Sequence, residues 1–207
     1  MRNLFIYIRF LPIAIFSVIY KNNDRLIMDV RRWTNKECVS LNKDLAILLS
    51  NFKEFRNLFI YRNRYPKAHR LFCKWIKFWY PPEKTLYLEC PDIGGGFFIQ
   101  HGFATYIAAK KIGENCSVNQ QVTIGYNGLS KSPIIGDRCM IMCGAKVLGE
   151  VELGECTRVG ANAVVIRDYK RGHGTLVGVP AVAKKEISKE DLLNAGVKID
   201  ESLFDWF

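Results

Sequence analysis

The sequence predicts a mainly β protein, in which a triangular parallel β-coil of six-residue repeats follows an α-helical N-terminal region. Two observations favour this fold class. Aliphatic residues recur at a step of six in the second half of the chain. Aromatic residues are dense before position 104, but between Ile107 and Leu203 only Tyr126 and Tyr169 occur. The change in composition indicates two regions that are built on different rules.

Residues 1–85 are predicted to form the helical region. Thr34 with Glu37 three residues later fits a capping box at a helix start. Pro81 and Pro82 end the helical pattern, because proline lacks the amide hydrogen that a helix needs. An apolar stripe at helical spacing, which we expect in the core, consists of Leu41, Leu45, Leu48, Phe52, Phe55 and Phe59.

The apolar stretch 4–20 has two interpretations. Arg9 and Pro12 interrupt it, and it is shorter than the roughly 20 apolar residues of a membrane span. It either packs against the protein or a second copy, or lies on an anionic membrane surface. No small-residue cleavage site follows it, so we expect no signal peptide. We expect a cytoplasmic location, with membrane association aided by Lys21, Arg25, Arg31 and Arg32.

The six-residue step predicts the β domain, to which we assign residues 86–185, with 186–207 as a tail. A helix of 3.6 residues per turn does not keep such a repeat on one face, whereas a coil of three short strands and three corners does. The aliphatic side chains are expected to fill the coil, and a following glycine relieves crowding at the corner. The eleven positions are Ile93, Ile99, Ile112, Val118, Ile124, Ile135, Ile141, Val147, Leu153, Val159 and Val165.

Two irregularities in the repeat predict where binding residues lie. The step from Ile99 to Ile112 has one residue too many, and His101 stands at its border. The step from Ile124 to Ile135 contains the polar segment 126–133, which we expect to leave the coil as a loop. We expect the two irregularities to meet over one groove.

Net charge and cysteine content limit the possible partners. The net charge of +10 favours an anionic partner such as a phosphorylated ligand or membrane headgroups. No RNA-binding signature or zinc-finger spacing occurs, so we expect no nucleic-acid partner. The seven cysteines are odd in number and show no paired spacing, which favours reduced, buried thiols over a disulfide framework.

The repeats and four motifs together resemble the hexapeptide-repeat acyltransferases. The motifs are "IGGGFFIQHG", "VTIGYNG", "GAKVLGEVELGECTRVGANAVV" and "VGVPA". The branch that they resemble most is that of serine acetyltransferases and polysaccharide O-acetyltransferases. The resemblance covers about residues 86–185. It implies a left-handed β-helix, assembly as a homotrimer and acetyl-CoA as acyl donor.

The resemblance implies that His101 is the catalytic base. Elementary chemistry agrees, because a neutral imidazole can accept the proton of an alcohol near neutral pH. The alternative is an ordinary histidine at a coil corner. Family members also carry an acidic partner upstream, at a position that Leu86 occupies here. Glu89 or Asp92 is a candidate substitute, and a solvated junction residue is the alternative for both.

The residues expected to bind substrates follow from the same resemblance. Serine acetyltransferases carry an Asp where this chain has Gln100, and an Arg-His pair in the later loop where this chain has Lys131. We therefore assign acceptor binding to Gln100, Gln120 and Lys131. For acetyl-CoA the resemblance implies a line of small residues with two lysines for phosphates, the lysines having a solvated role as alternative. These positions are Gly144, Ala145, Gly160, Ala161, Asn162, Gly178, Pro180, Ala181, Lys184 and Lys185.

These assignments favour an acetyl-CoA-dependent O-acetyltransferase that needs no metal. The expected acceptor is a sugar or a cell-surface polysaccharide precursor, because Gln100 gives no counter-ion to an amino acid. The alternative is serine O-acetyltransferase, of cysteine biosynthesis. A third, non-enzymatic alternative is a β-helix scaffold.

Overall fold

The structure is a computed structural model that describes residues 23–64, 69–128 and 131–184. The stretch 4–20, Lys185 and the tail 186–207 lie outside the described residues. Within the described ranges, helices come first and short strands follow. None of these helices has the length and hydropathy of a membrane-spanning segment.

Four helices precede the strands in the described chain: α1 (Asp24–Thr34), α2 (Leu41–Asn51), α3 (Lys53–Arg62) and α4 (His69–Trp79). The predicted apolar stripe is divided between α2 and α3, since Phe52 is extended, with φ −119°. The predicted helix start at Thr34 is wrong. Helix α1 begins earlier, because the Asn23 side chain accepts a hydrogen bond from Leu26 N at 3.0 Å. Thr34 ends this helix, and Asn35 caps it with φ 53°.

The strands form five stacked coils with three parallel faces. Face 1 contains β1 (Leu86–Leu88), β3 (Thr105–Ile107), β6 (Thr123–Gly125), β9 (Lys146–Leu148) and β12 (Val164–Val165). Face 2 contains β4 (Lys111–Ile112), β7 (Ile134–Ile135) and β10 (Glu152–Leu153). Face 3 contains β2 (Phe98–Ile99), β5 (Ser117–Val118), β8 (Met140–Ile141), β11 (Arg158–Val159) and β13 (Thr175–Val177), with β14 (Val182–Ala183) added antiparallel.

The interior of the coils confirms the predicted repeat. Each of the eleven aliphatic residues at the step of six is at most 2% exposed. A Cβ on Gly113 would lie 2.7 Å from the carbonyl carbon of Gly136 in the next coil, so the corner has no room for a side chain. The predicted fold class, a left-handed β-helix after helices, is confirmed.

Three corners join the faces, and two of them matter for the site. The histidine corner joins face 3 to face 1 and contains residues 100–104, 119–122, 142–145, 160–163 and 178–181. The loop corner joins face 1 to face 2 and contains residues 89–92, 108–110, 126–133, 149–151 and 166–168. Residues at one corner are stacked along the axis of the β-helix.

A buried ion pair fixes the helices to the first coil. Arg62 Nε lies 2.8 Å from Asp29 Oδ2, and the two side chains are 4% and 0% exposed. Asp29 also accepts a hydrogen bond from Phe97 N at 3.0 Å, while Arg62 donates to the carbonyls of Ile93 and Gly94. Burial raises the pKa of the Asp29 carboxyl, and the hydrogen bond from Arg62 opposes that shift. The pair therefore ties α1 and α3 to the coil that carries His101.

Candidate active site at the histidine corner

His101 lies exposed in a tight turn between β2 and β3. Its φ of 56° and that of Ala104, 53°, are in the left-handed region, which is uncommon for residues with a side chain. Gly102 packs inward between them, where a Cβ would lie 2.7 Å from Ile99 Cγ2. No hydrogen bond to the imidazole occurs among the described residues. The ring is thus presented to solvent with both nitrogens available.

Two of the predicted acceptor-binding residues lie beside His101. Strands β2 and β5 pair in parallel, and Gln100 N continues the pairing by donating to Val118 O at 2.9 Å. The same register places Gln120 next to His101 on the neighbouring coil. The Gln120 side-chain oxygen is buried and has no hydrogen-bond partner among the described residues. Two amides therefore flank the histidine, one exposed and one with an unused acceptor.

Neither predicted acidic partner lies at the histidine corner. Glu89 and Asp92 follow β1 and lie at the loop corner, so the width of face 1 separates them from His101. The Glu89 carboxylate accepts a hydrogen bond from the Tyr106 hydroxyl at 2.5 Å. The Asp92 carboxylate pairs with Arg25 at 2.8 Å. The expected pairing of a carboxylate with His101 is thus not made within the described chain.

The 126–133 loop also leaves from the loop corner. The expectation that it meets His101 over one groove of the same chain is wrong, because face 1 lies between them. Lys131 Nζ lies 2.8 Å from Glu150 Oε2, and this pair raises the pKa of Lys131. Both side chains are largely exposed, so the pair is a surface contact. Lys131 is therefore engaged away from the histidine.

The predicted acetyl-CoA residues are stacked along the histidine corner of coils 3 to 5. A Cβ on Gly144, whose φ is 71°, would lie 2.0 Å from Asn162 Oδ1, so the Asn162 side chain occupies the space that glycine leaves. Ala145 is fully buried in the core, and its assignment as a ligand contact is wrong because its methyl group points into the coil. The members of the line that reach the surface are Gly144, Gly160, Ala161, Asn162, Gly178, Pro180 and Ala181, followed by exposed Lys184.

The sequence analysis missed Lys146, which lies on β9 directly after this line. Its Nζ donates to the carbonyl oxygens of Gln121 at 2.9 Å and Gly144 at 2.8 Å. The signal was available, because Lys146 occupies an outward strand position next to Val147 of the repeat. It adds a positive charge beside the corner that follows His101.

A metal site is not evident at this corner. Among the residues that the structure describes, no group of three or more His, Cys, Asp or Glu side chains is arranged to hold a metal ion. The chemistry available here is that of an imidazole, two amides and a groove of small residues. That metal is not needed stays a prediction.

Comparisons with known proteins agree with the geometry of the β-helix. Residues 132–167 match the family model "bacterial transferase hexapeptide (six repeats)". A serine acetyltransferase of Bacillus pumilus is 42% identical over 92 residues, which are 42% of this chain and 42% of the relative. A serine acetyltransferase of Helicobacter pylori is 40% identical over 102 residues, 47% of this chain and 57% of the relative. The match therefore spans about half the length of these curated relatives.

Solved structures extend the likeness to the fold of most of the chain. The crystal structure of serine acetyltransferase in complex with coenzyme A from Brucella abortus is similar with a TM-score of 0.57. The similarity covers 83% of this chain and 72% of that one, at 22% identity, and so concerns the fold. Residues 132–167 are thus a bacterial transferase hexapeptide segment, and the chain carries a hexapeptide-repeat domain of the serine acetyltransferase type.

Proposed function

We propose that the protein is an acetyl-CoA-dependent O-acetyltransferase in which His101 is the general base. One observation carries the proposal. An exposed histidine without a ring partner stands in a left-handed turn, at the same corner as a line of small residues. Backbone strain of this kind is concentrated at functional sites, because the surrounding structure must maintain it.

The reaction follows from the chemistry of these groups. A neutral imidazole nitrogen of His101 accepts the acceptor's hydroxyl proton while the oxygen attacks the thioester carbonyl carbon. The tetrahedral intermediate then releases the CoA thiolate, and the imidazolium returns the proton to that sulfur. The products are the acetyl ester and free CoA, and the histidine ends neutral as it began. Removing such a base costs about 10²–10⁴-fold in rate.

Acetyl-CoA is proposed to lie along the histidine corner. Glycines and alanines there leave room for the narrow pantetheine arm against the coils. Lys184 is exposed at the end of this line, and Lys146 lies beside it, so both can meet phosphate groups. The coenzyme A complex of the Brucella abortus enzyme supports this donor.

Serine is the acceptor that the relatives support. The two curated relatives are named serine acetyltransferases and are 40% and 42% identical over the matched residues. In this interpretation the serine hydroxyl takes the position of the attacking alcohol at His101. The flanking amides of Gln100 and Gln120 then supply hydrogen bonds to the amino acid.

A sugar hydroxyl is the second candidate acceptor, favoured by the site's own charges. Gln100 is neutral, so an ammonium group beside His101 has no adjacent counter-ion there, and an unpaired charge in a groove is costly. Lys131 pairs with Glu150, which leaves it engaged rather than ready for a carboxylate. A neutral polyol avoids both costs.

Assembly is a further part of the proposal. We expect a homotrimer, since closed rotational symmetry is the common way to pair the flat faces of identical subunits. The rival function, a scaffold without catalysis, predicts the same fold but no thioester cleavage. Membrane contact through residues 4–20 stays a prediction.

The test is release of the CoA thiol from acetyl-CoA by the purified full chain. L-serine and a panel of neutral sugars are compared as acceptors, and His101→Ala is compared with the wild type. We expect acceptor-dependent thiol release that the variant loses. Release at equal rates in both proteins would contradict the proposed base, and no release with any acceptor would favour the scaffold.

A further inference from the structure

The exposed aromatic side chains of the described β-helix are concentrated around the coils that adjoin His101. Tyr87 is 51% exposed, Phe103 47% and Tyr126 56%. They surround Tyr106, which is half-buried in the middle of face 1. We call these four residues the aromatic platform. Exposed aromatic surface is costly in water, so a cluster of this kind points to a ligand or a partner.

Contacts within the platform fix its geometry. Tyr87 and Tyr106 are paired across β1 and β3, with ring centroids 6.0 Å apart and planes inclined at 47°. The Tyr106 hydroxyl donates to Glu89 Oε2 at 2.5 Å, and Tyr126 also hydrogen-bonds to Tyr106. The hydrogen bond to Glu89 raises the pKa of Tyr106 to about 12. The rings are therefore held in place before any ligand arrives.

The platform begins at the histidine turn itself. Phe103 N donates to His101 O at 2.5 Å, and Ala104 N donates to Thr85 Oγ1 at 2.9 Å. Thr85 precedes Tyr87 by two residues, so both point to the same side of the strand. A continuous strip thus runs from His101 across face 1 to Glu89.

The aromatic character stops after the second coil. At the same register of face 1, Tyr106 is followed by Thr123, then Lys146, then Val164 on successive coils. A face that packs along the full length of a second copy would be expected to keep its apolar character over all five coils. Confinement to the coils beside His101 favours a ligand of limited size.

A cleft adjoins the far end of the strip. It has a volume of about 420 Å³ and is lined by Glu89, Tyr126 and Ser132, among others. This volume lies in the range of small-molecule sites. Carboxylate, phenol and hydroxyl groups at its edge can donate and accept hydrogen bonds.

We propose that the aromatic platform beside His101 is an acceptor subsite that binds the pyranose ring of a sugar. The apolar C–H face of a pyranose stacks on an aromatic ring, while its hydroxyls need the neutral donors and acceptors that Tyr106, Glu89 and Gln100 supply. A free amino acid has no ring to cover this surface. The proposal rests on the proposed acetyl transfer and names the acceptor class for the same histidine.

The experiment compares the wild type, Tyr87→Ala and Tyr87→Phe as full chains. The probes are methyl glycosides of neutral hexoses and of N-acetylhexosamines, with L-serine beside them. Thiol release gives kcat and KM, saturation-transfer NMR gives glycoside binding without catalysis, and light scattering gives the molecular mass. The control is Phe78→Ala, which removes an exposed aromatic side chain on α4 outside the platform.

We expect Tyr87→Ala to raise the KM for the glycoside about tenfold, with kcat and the KM for acetyl-CoA nearly unchanged. Tyr87→Phe keeps the ring and should retain wild-type values, as should Phe78→Ala. Binding of the glycoside by NMR should weaken in Tyr87→Ala alone.

Several outcomes would overturn the subsite. They are absence of glycoside binding by the wild type, equal KM in Tyr87→Ala, and a lower molecular mass in that variant with equal losses for serine and glycoside. The last result would make face 1 an interface between copies. Use of L-serine alone, with unchanged kinetics in Tyr87→Ala, would overturn the subsite and leave the acetyltransferase intact. Glycoside binding that depends on Tyr87 without thiol release would support the subsite and refute the acetyltransferase.

Discussion

The helical region and the β-helix bury their cores by different means. The interior of the β-helix is a column of aliphatic side chains at a fixed step, and its buried polar residues are hydroxyls: Thr105, Ser117 and Thr157. The helical region instead buries Asp29, Asp44 and Arg56 among aromatic and leucine side chains. One region is held by repetition, and the other by particular pairs of polar groups.

This difference teaches where specificity is stored. A parallel coil satisfies its backbone hydrogen bonds with the next coil, so any aliphatic residue of suitable size serves at each inward position. Helices that dock on the end of a coil must fix one orientation, and a buried charge pair does so at the cost of desolvation. The β-helix should therefore tolerate change in charge pairs and resist change in volume, and the helical region should show the reverse.

The largest expected effect concerns activity and separates function from fold. His101→Ala should lower acetyl transfer by about 10²–10⁴-fold, because the general base is removed from an exposed turn with no structural partner. Steady-state thiol release and thermal unfolding are measured together. His173→Ala is the matched control, since His173 pairs with Glu155 at another corner. Equal losses in both variants would show that the effect is not local to the histidine corner.

The next effect concerns the buried pair. Asp29→Ala should reduce the free energy of unfolding by about 3–5 kcal/mol, because Arg62 is left buried without its counter-ion. Asp92→Ala removes the partner of Arg25 in an exposed pair and should cost about 0–1 kcal/mol. Denaturant unfolding measures both. Similar values for the two variants would mean that the docking of the helices does not depend on the pair.

A smaller effect tests resistance to volume in the β-helix. Gly113→Ala should cost about 1–3 kcal/mol, since its Cβ would meet backbone atoms of the next coil and Asp137 Oδ1 at 2.2 Å. Gly125→Ala, on face 1, adds a methyl group with no atom within 4 Å and should be nearly neutral. Thermal unfolding of the two variants compares these corners of one fold. Equal stability would contradict the steric account.

The smallest effect is electrostatic and lies on the aromatic platform. Glu89→Gln should lower the pKa of Tyr106 from about 12 towards the ordinary value of about 10, because the phenolate is no longer opposed by a carboxylate. Ultraviolet titration of the phenolate follows this shift. Tyr106→Phe identifies the signal by removing it. The fold should persist in both variants, since the pair is exposed.

The sequence predicted the β-helix well because its period is carried by single residues. Eleven aliphatic positions at a step of six had to point inward, and all are buried. Local signals were weaker in the helices, where Thr34 and Glu37 matched a capping box but α1 ended at Thr34. The competing cap at Asn23 was a better start, and pattern alone did not rank the two.

The sequence by itself determined the repeat, the two regions and the prominence of His101. It did not determine which corner each irregularity occupies, and so it joined His101 to the 126–133 loop and to Glu89. Only the tertiary structure separated them by the width of face 1 and paired Glu89 with Tyr106. The reason is that a period fixes inward and outward directions, whereas contacts between coils and between regions depend on three-dimensional register. The buried pair of Asp29 and Arg62 arises in the same way, because its members are far apart in the chain and meet only when the helices dock.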